Sequence, residues 1–352
     1  MRYLVAWIVL LTAAAAAADG GSVQSWSTPL PWGDPDLQGT WTNATLTGLE
    51  RFSGMEDLVI TEPAARDLER RDAQFSADID GLPEGDLPKG AMVGGYNSAW
   101  LERGDRLLRV NGEPRTSIIV DPEDGHVPYT LTGWAKLWWA LINSQKRNNP
   151  EEQLLGDRCL VGYGSTGGPP MLPVLYNNNY QIVQTPGYVM ILVEMNHSVR
   201  TIRLDGEPLP EPIRPWYGDS LGRWEGETLV VETNRFHPQQ GLRGAIKHLL
   251  FMGPDSTVTE RFTRTAEHEI LYEFTVADDT LYRQPWRGEL IFHPSNGGIY
   301  EYACHEGNYG MVNMLAGERA QGTNGIRWLL GLATHMPEEV THPQLSGSRF
   351  DR

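Results

Sequence analysis

From about residue 172 onward, apolar and polar positions alternate with period two in short runs separated by turn residues, the pattern of half-buried strands. Residues 180–185 and 188–195 are β-rich runs split by Pro186-Gly187, and 199–204 ends at Asp205-Gly206, a hairpin-turn pair. The runs 228–233, 258–263, 270–276, 286–292 and 299–305 bring the set to eight predicted strands with no helical segment between them. One antiparallel sheet system follows, and closure into a barrel or sandwich hides its edges. Ahead of it, residues 61–72 predict a short helix with Thr61 as N-cap and Pro63 in the first turn. Residues 76–98, rich in Gly and Pro, predict a loop, and 117–121 a short buried strand. Residues 131–142 place Trp134, Trp138 and Trp139 at helical spacing, which predicts a core-facing stripe.

Gly39-Thr40-Trp41 resembles the G-x-W that opens the first strand of lipocalin-like (calycin) barrels. The expected fold is therefore mainly β, an antiparallel calycin-like barrel or sandwich over 131–317 with an irregular N-terminal wrap over 19–130. A C-terminal tail, 318–352, carries an apolar stretch at 326–336 that predicts a docking helix.

Residues 1–18 read as a cleavable secretory signal: Arg2, an apolar run at 3–11, then alanines to Ala18. That run is shorter than the roughly 20 residues needed to span a bilayer, so the mature chain is expected in the periplasm or medium without a membrane anchor. Net charge is −16, which repels nucleic-acid phosphates and anionic lipid heads. The expected partner is a small molecule, not nucleic acid, and the expected state a monomer or small homo-oligomer. Cys159 and Cys304 are the two cysteines. In an oxidising compartment they form one disulfide or stay as two buried thiols.

Four stretches look familiar as a set: 34–43 (PDLQGTW at its centre), 176–186 (YNNNYQIVQTP), 218–233 (GRWEGETLVVET at its end) and 300–309 (YEYACHEGNY). Together they resemble a family of uncharacterised secreted bacterial proteins. That resemblance implies secretion and supplies no reaction.

Two polar clusters carry the candidate chemistry. Glu301, His305, Glu306 and Asn308 surround the end of the last predicted strand, where Glu301 and His305 share one face about 13 Å apart. Glu194, His197 and Arg200 surround the turn after 188–195. A carboxylate ending so apolar a run needs a partner, and Arg200 or His197 is the natural one. The acid/base reading takes His305 or His197 as base, with Glu194 or Glu306 as acid or orienting group. The structural reading satisfies the same groups internally or in solvent. Asn178 and Tyr180 in the Asn-rich run, Trp224, Arg200, Asn308 and Glu301 are candidate substrate contacts, and Trp100, Trp216 and Trp286 candidate stacking platforms. His237 and His248 flank a Gly-containing insertion, 238–245, that reads as a lid, and 162–168 reads as a flexible linker.

The expected function is a secreted enzyme using His/Glu acid-base chemistry on a small cyclic molecule, a sugar derivative or aromatic, of lyase, isomerase or hydrolase type. The alternative is a non-catalytic periplasmic binding protein for a small hydrophobic or sugar ligand. The third is a metal-dependent lyase or hydrolase with a divalent metal on His197, His305 and Glu194. No nucleotide cofactor is expected, because Walker A and a strand-linked G-x-G-x-x-G are absent, and H-E-x-x-H is absent as well.

Overall fold

The computed structural model describes residues 26–321 except 27, 81–100, 145–148, 246, 296 and 307. The expected signal segment, Trp100 and the apolar stretch at 326–336 lie outside the described residues.

The elements run β1 (Gly39–Thr42), α1 (Glu62–Asp80), β2 (Arg109–Val110), β3 (Glu113–Pro114), β4 (Ile119–Asp121) and α2 (Leu131–Asn143). They continue with β5 (Asn179–Thr185), β6 (Tyr188–Val193), β7 (Ser198–Leu204), β8 (Asp219–Glu225) and β9 (Thr228–Asn234). Then follow β10 (Leu242–Ala245), β11 (His248–Phe251), β12 (Thr257–Ala266), β13 (Glu269–Ala277), β14 (Trp286–Pro294) and α3 (Tyr309–Gln321). Nine strands close into a barrel in the order β1-β5-β6-β7-β8-β9-β12-β13-β14, with β14 returning to β1 and β4 added beside β14. Alternation along β12 and β13 puts Val258, Glu260 and Phe262, and Ile270, Tyr272, Phe274 and Val276, on the buried face. Tyr180 stacks on Phe292 at 5.3 Å, and Phe274 meets Trp286 edge-on at 5.6 Å, so aromatics fill much of the interior.

The barrel is mixed, not purely antiparallel, because β7 and β8 run parallel. Asp205-Gly206 therefore opens a crossover and not a hairpin. Four prolines between 205 and 218, at 208, 210, 212 and 215, suit a segment that makes no ladder. Two barrel strands fall outside the predicted eight. One is β8, which holds few β-branched residues, and the other is β1, the G-x-W segment itself. Trp41 of β1 pairs with both Tyr180 of β5 and Pro294 of β14, so this short strand supplies the closure. The predicted strand at 299–305 is irregular in the structure. With β14 paired by β13 on one side and by β4 and β1 on the other, no edge is open to it.

Three further expectations are corrected. Helix α1 runs to Asp80, so the helix includes 76–80. Helix α2 docks through Gly133 and Leu137, with a Thr130 cap whose hydroxyl accepts from Gly133 N–H at 3.0 Å. A side chain at Gly133 would collide with the Leu281 carbonyl, which is why glycine sits there. Trp134, Trp138 and Trp139 lie on the opposite side, 46%, 59% and 68% exposed, and are not core. Helical spacing defines a stripe but not the direction it faces. Finally, 162–168 is no flexible linker. Ser165, Thr166, Met171 and Leu172 are at most 2% exposed, and the run forms a plug packed against the barrel. A Cβ at Gly164 would come within 2.8 Å of His248 Nε2, and one at Gly167 would overlap the Tyr217 ring. These glycines allow close approach of backbone to side chains. Among the described residues, no helix is long and apolar enough to cross a membrane.

Cys159 and Cys304 are joined, with Cα atoms 5.7 Å apart and a sequence separation of 145. For a loop of that length the chain-entropy model gives about 5 kcal/mol. Replacing both cysteines by serine should lower the unfolding free energy by an amount of that order, read from urea denaturation with and without reductant. A double variant as stable as the oxidised wild type would show that the bond stabilises nothing.

Candidate functional site

The polar clusters predicted from sequence are held close to each other, though not around one cavity. The Cys159–Cys304 bond pins the 300–308 segment to the loop at 156–162. From the other side the Asn196 side chain donates to the Cys159 carbonyl at 3.4 Å. The turns bearing His197 and His305 thus meet the same loop. His197, His305, Glu306 and Glu301 are exposed on it. Asn308 is exposed too and bonds the Asp157 carbonyl at 3.4 Å.

Glu194 behaves differently from expectation. It is 2% exposed, and its carboxylate accepts from Asn179 Nδ2 at 2.8 Å and from Tyr300 N–H at 3.0 Å. Neither Arg200 nor His197 is its partner. The same Asn179 amide also donates to Glu102 at 2.8 Å, so two carboxylates share one side chain. Burial first, and the nearby Glu194 charge with it, raise the Glu102 carboxyl above its ordinary value. Asn178 is fully buried and spends its amide on Val174 and on the Glu102 carbonyl, a loop-holding task. Tyr180 and Trp286 are core, and Trp224 packs on the core from its place opposite Leu229. Among the described residues no group of three His, Cys, Asp or Glu side chains is placed to hold a metal ion, so His197, His305 and Glu194 do not form the proposed ligand set.

Arg200 instead reaches across the barrel interior to Glu260 of β12. The pair is bidentate at 3.0 and 2.6 Å, with both side chains at most 1% exposed. Tyr272 donates to the same carboxylate at 2.7 Å and accepts from Met171 N–H of the plug at 2.9 Å.

A cavity of about 320 Å³ opens beside Arg200. Its cause is the parallel pairing: β8 joins β7 only from Ile202 onward, so the first half of β7 is uncovered and Pro215–Gly218 passes at a distance. Arg200, Thr201, Trp216, Tyr217 and Ser220 are among its walls. Tyr217 is held in place by Ser198 at 2.7 Å and by Gly162 N–H at 3.2 Å. Trp216 stacks on His237 with ring centres 3.8 Å apart. The Gln239 N–H donates to His237 Nδ1 at 3.2 Å, which leaves the ring proton on Nε2, and burial pulls the imidazole below its ordinary value. His197 ends the turn two residues before Val199, another wall residue.

Behind the Tyr217–Gly218 wall lies the hairpin β10–β11, which is packed into the fold and is not a lid. Arg243 is 2% exposed; it donates to the Pro169 carbonyl at 2.5 Å and to Ser165 Oγ at 3.2 Å, and lies over the Phe236 ring at 5.2 Å. Burial lowers its guanidinium to about 10. His248 is 6% exposed against the plug, and burial, helped by the Arg243 charge, pushes it down to about 3.

Glu260, Tyr217, Arg243 and Glu102 carry this region and were not singled out from sequence, and His237 was named there only as a flank of the 238–245 insertion. Glu260 alone had a readable signal, a carboxylate at the inward parity of 258–262 between Val258 and Phe262. The rest come together through loops.

His248 generates a pH test. Its value in the fold lies below the ordinary 6.5, so the unfolded chain binds the extra proton between pH 6.5 and about 3. Stability contributed by the neutral ring is therefore lost as pH falls through that window. The His248→Leu variant should lose less stability than wild type between pH 6.5 and 4 in urea titrations. Equal losses would place the acid sensitivity elsewhere.

The chain matches no known family model and no curated protein, so the reading of this site rests on the geometry given above.

Proposed function

We propose that this chain is a secreted enzyme that takes a small cyclic molecule into the cavity beside β7 and acts on it by proton transfer, as a lyase, isomerase or hydrolase. The observation that carries the reading is the cavity itself. It joins a fully buried, oriented guanidinium, Arg200, to an aromatic wall, Trp216, and to two histidines at its margin. In this reading Trp216 supports the ring, the Arg200 charge favours an electron-rich ligand from behind the wall, and His237 donates from Nε2 to an oxygen that gains charge. His197 accepts the proton, with His305 held nearby through the disulfide. Location outside the cytoplasm is part of the proposal and is supported by the disulfide, which persists in oxidising compartments. So is kinship with the secreted bacterial proteins that its motifs resemble.

A binding protein without catalysis is the second reading. It is favoured by one observation: Glu194, Glu260 and Arg200 are all consumed by internal bonds, which leaves acid/base work to the histidines alone.

The two readings separate on His197→Ala, His237→Ala and His305→Ala, screened with a panel of cyclic alcohols, lactones and sugar acids. An enzyme should lose about 10²–10⁴ in turnover on removal of a positioned acid or base, with ligand affinity changed only a few-fold. Turnover kept by all three variants would overturn the histidine assignment. Ligand binding with no turnover in the wild type would establish the binder.

A further inference from the structure

Building on the proposed site, the charges around it narrow what it takes. Two guanidiniums are buried at the cavity: Arg200 in its wall, and Arg243 behind Tyr217 and Gly218. The link is continuous. Arg243 lies over Phe236, and a Cβ on Gly218 would touch that ring at 3.0 Å. Arg243 also holds Ser165 of the plug, two residues from Gly167, where a side chain would strike Tyr217.

One buried carboxylate, Glu260, answers these two cations, and it is engaged by Arg200. Among the described residues Arg243 has no ion-pair partner. A carbonyl, a hydroxyl and a ring solvate it in part, and its Nε and Nη2 are buried without a hydrogen-bond partner. Arg200 Nε is likewise buried and free. The other two charged residues of the wall, Arg203 and Asp219, pair with each other at 2.7 Å. A buried cation without a counter-charge is costly, and a low-dielectric wall carries its field into the adjoining space.

We infer that the cavity selects a small cyclic carboxylate, whose charge balances the uncompensated charge of Arg243 behind the Tyr217–Gly218 wall. A neutral sugar or alcohol of the same shape leaves that charge unanswered. The acidic surface, at net −16, slows the approach of such an anion but does not act at the buried seat, since exposed charges are screened over about 8–10 Å in physiological salt.

The test uses matched pairs that differ in charge alone: benzoate against benzamide, and glucuronate against glucose, by calorimetry on the whole protein at pH 7. At least one acid should bind about tenfold or more tighter than its neutral partner, the scale of one charge-assisted contact. Arg243→Met should erase that preference and Arg243→Lys should keep it. If neither variant folds, the wild-type comparison decides. Neutral partners binding as tightly as the acids, no acid binding at millimolar concentration, or a folded Arg243→Met that keeps the preference would each overturn the inference. Turnover of a neutral ring compound without acid preference would do so while leaving the enzyme reading in place. Acid preference without any turnover would do the reverse.

Discussion

The ion pair between Arg200 and Glu260 is the contact on which the interior depends. It joins β7 to β12 across the barrel, with β8 and β9 between them in the sheet order, so no ladder hydrogen bond can substitute for it. Through Tyr272 the same carboxylate reaches Met171 and so fixes the plug. Such a pair adds little net stability over an apolar replacement, but removing one partner leaves a buried charge at a cost of about 3–5 kcal/mol. It therefore holds the geometry more than it holds the fold. Both terminal nitrogens of Arg200 are committed to Glu260, which fixes the guanidinium in one orientation. The plug, the Tyr217 wall and the Arg243 hairpin are then stacked in order behind it.

Much of the architecture was legible from alternation. The runs at 180–185, 199–204, 258–263, 270–276 and 286–292 all became barrel strands, because period-two patterning follows directly from one face being buried. Failures came where local pattern and long-range pairing part company. β8 is stabilised by its neighbours on both sides and needs little intrinsic strand preference. The 299–305 run has strand-like residues but no open edge. Asp205-Gly206 has hairpin chemistry, yet the prolines after it carry the chain away along the barrel. The stripe of Trp134, Trp138 and Trp139 gave the helix and not its orientation, which Gly133 decides by permitting contact with the Leu281 carbonyl.

The site was legible only in fragments. Arg200, His197 and Trp216 were named from sequence, and all three stand at or next to the cavity. Their grouping there was not visible, because it depends on the parallel β7–β8 pairing that leaves half of β7 uncovered. Glu194 shows the opposite case. A carboxylate at the end of an apolar run does require a partner, as expected, but Asn179 and a backbone N–H meet that need from segments distant in sequence. The glycines at 162–168 misled for a related reason: absence of side chains is shared by linkers and by buried backbone, and only packing separates them.

The most direct test of the account is to watch Arg200 itself. Its Nε–H is free in the structure while its two terminal nitrogens are paired, so it gives a distinct side-chain resonance in ¹⁵N-labelled protein. On titration with a cyclic carboxylate that binds, that resonance should shift in a saturable way and be the signal whose change tracks occupancy. Saturable binding with the Arg200 Nε–H signal unmoved, and shifts confined to residues such as Glu301 and Asn308 on the outer surface, would contradict the cavity as the working site.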